Sequence, residues 1–138
     1  MNEIEGMKED FGKARVVYMT TFRDGEEHSR QMTNFNEDPY RMIWFPTHRD
    51  TRKVEDIKEN PRVLITFPSS KEGFYYEIEG RAEFESEEVT RGKWEWWYLY
   101  WRPTQRRRFW FPREGQHPER VIINVYPVKA GMVSKDDV

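Results

Sequence analysis

From Phe74 to Glu85 the chain alternates without a break. Phe74, Tyr76, Ile78, Gly80, Ala82 and Phe84 share one parity; Tyr75, Glu77, Glu79, Arg81, Glu83 and Glu85 share the other. A period of two belongs to a strand with one dry face and one wet face, and no helix can carry it. Gly80 at its centre predicts a bend or the close approach of another backbone. The rest of the chain must fold around such a strand. Its composition agrees: ten Val and seven Ile stand against two Leu, Leu64 and Leu99. β-Branched side chains suit a pleated surface, whereas helical cores draw on Leu.

The flanking segments fit the same plan. Residues 1–12 are polar with apolar anchors at Ile4, Met7 and Phe11, and predict a short helix or arm. Residues 14–22 (ARVVYMTTF) predict a strand, and Asp24-Gly25 a two-residue hairpin turn with positive φ. Residues 28–35 would be its antiparallel partner. After Asp38-Pro39, residues 41–46 would complete a three-stranded meander. Residues 51–59 place Val54 and Ile57 on one helical face, with Asp50 or Thr51 as a cap and Asn60-Pro61 as a stop. Residues 62–67 (RVLITF) read as a buried strand, and Ser86-Glu87-Glu88 as a helix start. Val89, Trp94, Trp97, Tyr98 and Trp101 follow at helical spacing, a stripe that reads as core or interface. Residues 102–118 are irregular and basic, 121–126 and 128–133 predict one or two closing strands, and 134–138 a flexible tail. The expectation is a mainly β fold: one domain over 1–138, a six- or seven-stranded antiparallel barrel with a few helices.

Several function classes fall away on composition. Lys plus Arg number 23 and Asp plus Glu 25, a balance that does not suit a dedicated nucleic-acid or membrane-surface protein. The chain has no cysteine, which excludes disulfides and thiolate chemistry. No apolar run approaches the roughly 20 residues that span a bilayer, and the first residues are acidic; a cytoplasmic location is the expectation. His28, His48 and His117 are scattered without metal-ligand spacing, and no GxSxG, P-loop or GxGxxG is present. The 6 Trp, 7 Tyr and 9 Phe exceed what a small core needs, so some should serve an interface or a flat ligand.

Two elements carry chemistry. Thr47-His48-Arg49-Asp50-Thr51-Arg52-Lys53 gathers hydroxyls, cations and a helix start, which is what a phosphate dianion needs. The plain alternative is a polar loop before a helix. Ser29-Arg30-Gln31-Met32-Thr33 places an arginine within a strand, beside Thr20 and Thr21 of the preceding one; its plain alternative is an exposed face position. The run Gln105-Arg106-Arg107-Arg108, flanked by Trp101, Phe109 and Trp110, leaves a small β-barrel nucleic-acid module as an alternative of another class.

Taken in order, these pieces resemble the FMN-binding split barrel of the pyridoxamine 5′-phosphate oxidase-like superfamily, in its general-stress-protein-like branch. The resemblance runs from about Ala14 to Phe84, more weakly through Val133. It rests on the Thr-Thr ending of strand one, the Asp-Gly hairpin, His-Ser-Arg-Gln-Met, the aromatic strand closing on Thr47, Thr51-x-Lys53, Asn-Pro-Arg-Val at 60–63, and Ile78-x-Gly80-x-Ala82. The resemblance implies a homodimer with FMN at the subunit interface. Arg30, Gln31 and Met32 would line the isoalloxazine, largely through backbone groups. Phe45 and Thr47 would flank the ring and ribityl chain. Thr51 and Lys53 would hold the phosphate with Arg52 as auxiliary, and the partner subunit would lay an aromatic side chain, Trp110, over the flavin. Gln31 stands where the family carries proline, and Met132 where it often carries tryptophan. The resemblance does not extend to the substrate-binding residues of true pyridoxamine 5′-phosphate oxidases. It implies an oxidoreductase of unknown substrate, or a flavin-binding reservoir or sensor without turnover.

Overall fold

The structure is a computed structural model, and it describes residues 1–92 and 120–137. Its elements are α1 (Met7–Lys13), β1 (Val16–Arg23), β2 (Glu26–Thr33), β3 (Ile43–His48), α2 (Arg52–Glu59), β4 (Arg62–Pro68), β5 (Phe74–Phe84) and β6 (Arg120–Ser134). Residues 87–92 are also helical, opening where the Val89 N–H meets the Ser86 hydroxyl at 3.3 Å. The aromatic stripe beyond Val89 and the arginine run lie outside the described residues.

All six strands pair antiparallel in one curled sheet of order β2-β1-β4-β5-β6-β3, a split barrel. The β1–β2 hairpin turns on Asp24 and Gly25 at φ 52° and 79°, the left-handed pair that matches the twist of the strands. β3 departs from the expected meander. It pairs with β6 and not with β2, setting Ile43 against Val125, Phe45 against Ile123 and Thr47 against Val121. The physical reason is burial. Those three pairs form a buried face that is apolar but for the Thr47 hydroxyl, whereas β2 offers mainly charged and polar side chains. The seam after β2 is bridged by Asn36, whose amide oxygen accepts the Trp44 N–H at 3.1 Å while its NH2 donates to the Trp44 carbonyl at 3.0 Å.

Residues 121–133 form part of a single strand. Its pairing with β5 shifts between Glu79 and Gly80, where Pro127 faces Gly80 and Lys129 faces Glu79. Pro has no N–H to give a ladder, so a bulge suits it. A Cβ on Gly80 would lie 2.5 Å from Val125 Cγ1 and 3.0 Å from the Tyr126 carbonyl. The close approach expected at that glycine is present.

The inner face carries rows read across the strands. Met19, Ile65, Ile78 and Ala130 make one, and Val17, Phe67 and Tyr76 another. α1 covers the second row, with Phe11 edge-on to Phe67 at 5.1 Å. α2 packs against the other end of β1, burying Val54 and Ile57. After β6, Lys135–Asp137 makes a 3-10 turn tied to the Gly73 carbonyl by the Lys135 N–H at 2.8 Å.

A candidate phosphate site where α2 meets β1 and β2

α2 begins with an open N-terminus. Thr51 occupies the N-cap position, but its hydroxyl donates to the His48 carbonyl at 2.9 Å and makes no cap bond. The expected side-chain cap is therefore absent: the loop after β3 claims that proton, and the first N–H groups of the helix remain available. Lys53 sits in the first turn. Three residues before Asp56 and four before Ile57, it lies on the arc of α2 that faces the sheet. It is half-buried, and among the described residues it has no carboxylate partner.

Arg30 reaches the same place from β2. Across the hairpin it faces Met19, which puts it on the inner face with Met32 and not on an exposed one. The plain alternative for Arg30 is thereby overturned: alternation assigns Ser29 and Gln31 to the outer face and Arg30 to the inner. Its Nη1 donates to the Thr21 hydroxyl at 2.7 Å, and Nη2 lies 3.7 Å from Asp56 Oδ2. Thr21 in turn donates to Asp56 Oδ2 at 2.7 Å. Asp56 is fully buried on α2, and its Oδ1 accepts no hydrogen bond, with the Arg23 guanidinium 3.6 Å away.

The charges do not balance. Burial pushes the Lys53 ammonium below its usual range, and Arg30 pushes it further. Burial also lowers Arg30, opposed by Asp56 and reinforced by Arg52. Two half-buried cations, Arg30 and Lys53, thus meet here, with the exposed Arg52 close enough to act on Arg30. Asp56 is shared between Arg30 and an Arg23 that Glu55 and Glu59 also pair. A patch of this kind is paid for in desolvation and recovers it when an anion arrives. The donor set fits a phosphate ester: fork-shaped guanidinium, point-charge ammonium, and N–H groups at a helix start.

The remaining expected residues are spread around this patch. Thr47 is buried on the inner face of β3, next to the loop that leads into α2. Met32 is buried opposite Val17. Phe45 is sealed in the core, so a ligand there would meet its backbone and not its ring. Gln31 points to the other face, where its side-chain NH2 donates to the Tyr18 hydroxyl at 3.2 Å. Trp110 lies outside the described residues. Asp56 was missed in the sequence. It falls beside the Val54/Ile57 stripe and reads as one more solvated charge among Glu55, Lys58 and Glu59; its spacing of three from Lys53 was the available signal.

The family model described as pyridoxamine 5′-phosphate oxidase-like matches residues 2–133. The chain belongs to the pyridoxamine 5′-phosphate oxidase-like family. General stress protein 26 of Bacillus subtilis (strain 168) is 31% identical over 116 residues, covering 82% of this chain and 75% of that protein. This relative places the chain in the general-stress-protein branch. Two solved structures share the fold. A FAD-binding protein from Mesorhizobium loti has TM-score 0.67 and 16% identity, covering 96% of this chain and 94% of its own. A pyridoxamine 5′-phosphate oxidase-related, FMN-binding protein from Nostoc punctiforme PCC 73102 has TM-score 0.65 and 15% identity, covering 92% and 78%. Among the described residues no helix is long and apolar enough to cross a membrane.

Proposed function

We propose that this chain is an FMN-binding flavoprotein whose flavin phosphate sits at the start of α2, held by Lys53, Arg52, Arg30 and the N–H groups after Thr51. The reading rests most heavily on one observation. Lys53 is half-buried and pressed by Arg30, and no carboxylate among the described residues relieves it. The cofactor class is supported by two proteins that share the fold, one described as FMN-binding and one as FAD-binding. Three cations around one patch favour the terminal dianion of a monophosphate over the singly charged diester phosphates of a dinucleotide.

Bound FMN would supply hydride or electron transfer, for which the chain needs to contribute binding, orientation and exclusion of water. Met32 and the backbone of Arg30, Gln31 and Phe45 would lie along the ring, with Thr47 toward the ribityl chain. We place the protein in the cytoplasm as a homodimer with flavin between subunits and the partner's aromatic residue, Trp110, over the ring. The outer face of β1 supports an interface: Val16 and Tyr18 stay 43% and 42% exposed in the single chain. True pyridoxamine 5′-phosphate oxidase activity is not part of the proposal.

The test is a flavin titration of the purified protein with FMN, FAD and riboflavin, followed by assay with reduced nicotinamides. FMN should bind at one per chain and more tightly than either analogue. Riboflavin binding equal to FMN would remove the phosphate site. Flavin reduction by a nicotinamide would mark an oxidoreductase, and its absence a reservoir or sensor.

A further inference from the structure

We infer that Thr21 and Asp56 are positioning residues that aim the Arg30 guanidinium at the phosphate; the inference rests on the FMN-phosphate reading above. The hydrogen-bond directions are forced. Arg30 can only donate and a carboxylate can only accept, so a group that stands between them must do both, as the Thr21 hydroxyl does. Thr21 has one proton. It goes to Asp56 Oδ2 at 2.7 Å, and this turns a lone pair toward Arg30 Nη1, also at 2.7 Å.

The strand register explains the reach. Arg30 faces Met19, two residues along β1 from Thr21, so its side chain runs along the inner face toward α2. Thr21 grips one edge of the guanidinium. Nη2 stays 3.7 Å from Asp56, near enough to feel its charge and too far for a good hydrogen bond. The other edge of the fork is therefore held in place with donors to spare, and Arg52 and Lys53 lie near enough for their charges to interact with it. Thr21 and Asp56 are both fully buried, so the relay keeps its geometry when no ligand is bound. Fixing a rotamer-rich arginine before binding spares the ligand that ordering cost.

Thr21→Val keeps the branched shape and removes the hydroxyl; Thr21→Ser keeps the hydroxyl. Dissociation constants for FMN and riboflavin are measured for wild type, both variants and Lys53→Met. Loss of a hydrogen bond that orders a charged ligand group corresponds to about a tenfold change. Thr21→Val should therefore weaken FMN about tenfold and leave riboflavin unchanged, while Thr21→Ser stays close to wild type. An unchanged FMN-to-riboflavin ratio in Thr21→Val, or an equal loss of both ligands, overturns the relay. If Lys53→Met also leaves the ratio unchanged, the phosphate reading itself has failed and the relay with it. A second readout needs no variant. In ligand-free wild type, the two terminal nitrogens of Arg30 should give separate NMR signals because Thr21 hinders rotation; a single averaged signal contradicts the proposal.

Discussion

Asp10 and Asp56 are both buried carboxylates, and the protein finishes them differently. Asp10 on α1 accepts from the Ser70 N–H at 2.9 Å, the Ser70 hydroxyl at 3.2 Å and the Tyr76 hydroxyl at 2.9 Å, all on one oxygen and all from neutral donors. It fastens α1 to the β4–β5 loop and to β5. Asp56 accepts one hydroxyl, leaves Oδ1 without a hydrogen bond, and has guanidinium groups at 3.6 and 3.7 Å. A carboxylate closed by neutral donors is a structural fastener. One that lies beside a guanidinium without saturating its donors leaves N–H groups and positive charge for a ligand.

The largest expected effect separates the two on stability. Asp10→Asn should lower unfolding free energy by about 2–4 kcal/mol, since Ser70 and Tyr76 would lose a charged acceptor in a buried site. Urea unfolding measures this, and the FMN-to-riboflavin affinity ratio should not move. A changed ratio would break the distinction between the clusters. Next, Lys53→Met should weaken FMN by about 1–3 kcal/mol through loss of a charge-assisted contact while preserving the side-chain stem. Calorimetric titration checks it, and unfolding in the absence of ligand should show no loss.

The pH dependence sharpens the same contrast with smaller effects. Burial raises the Asp10 carboxyl, but the Ser70 and Tyr76 hydrogen bonds and Lys13 outweigh it, so the group sits below its usual 3.8. Its contribution is fully present above 3.8 and is lost as pH falls through the lower folded value. Asp10→Asn should flatten that acid limb. Lys53 works in the opposite sense. Its folded value lies below 10.5, so between the two values the unfolded chain holds more protons and stability rises with pH. Lys53→Met should remove that rise. In the same alkaline window FMN binding should take up protons, which titration in buffers of different ionisation enthalpy will show.

The sequence made the barrel legible where pattern and burial coincide. The alternation of β5, the Asp-Gly hairpin and the helix stop at Asn60-Pro61 are local rules, and each holds in the structure. The partner of β3 was not legible, because pairing is decided by which distant strand offers a matching apolar face. The site divides in the same way. Lys53 and the helix start are local, and the proposal that they hold a phosphate could be made from residue types alone. Arg30 joins them only because β2 folds back on β1 and α2 lies across the end of that hairpin. Asp56 was hidden because a single acid in a charged helix looks solvated, and its spacing from Lys53 was the one local sign against that.

The most direct trial is a crystal structure of the protein grown with FMN. The account predicts phosphate density at the start of α2, within hydrogen-bond reach of Lys53 Nζ and the Arg30 guanidinium, with Arg30 still bonded to Thr21. Ordered FMN whose phosphate lies away from α2, with Lys53 and Arg30 turned from it, would contradict the account.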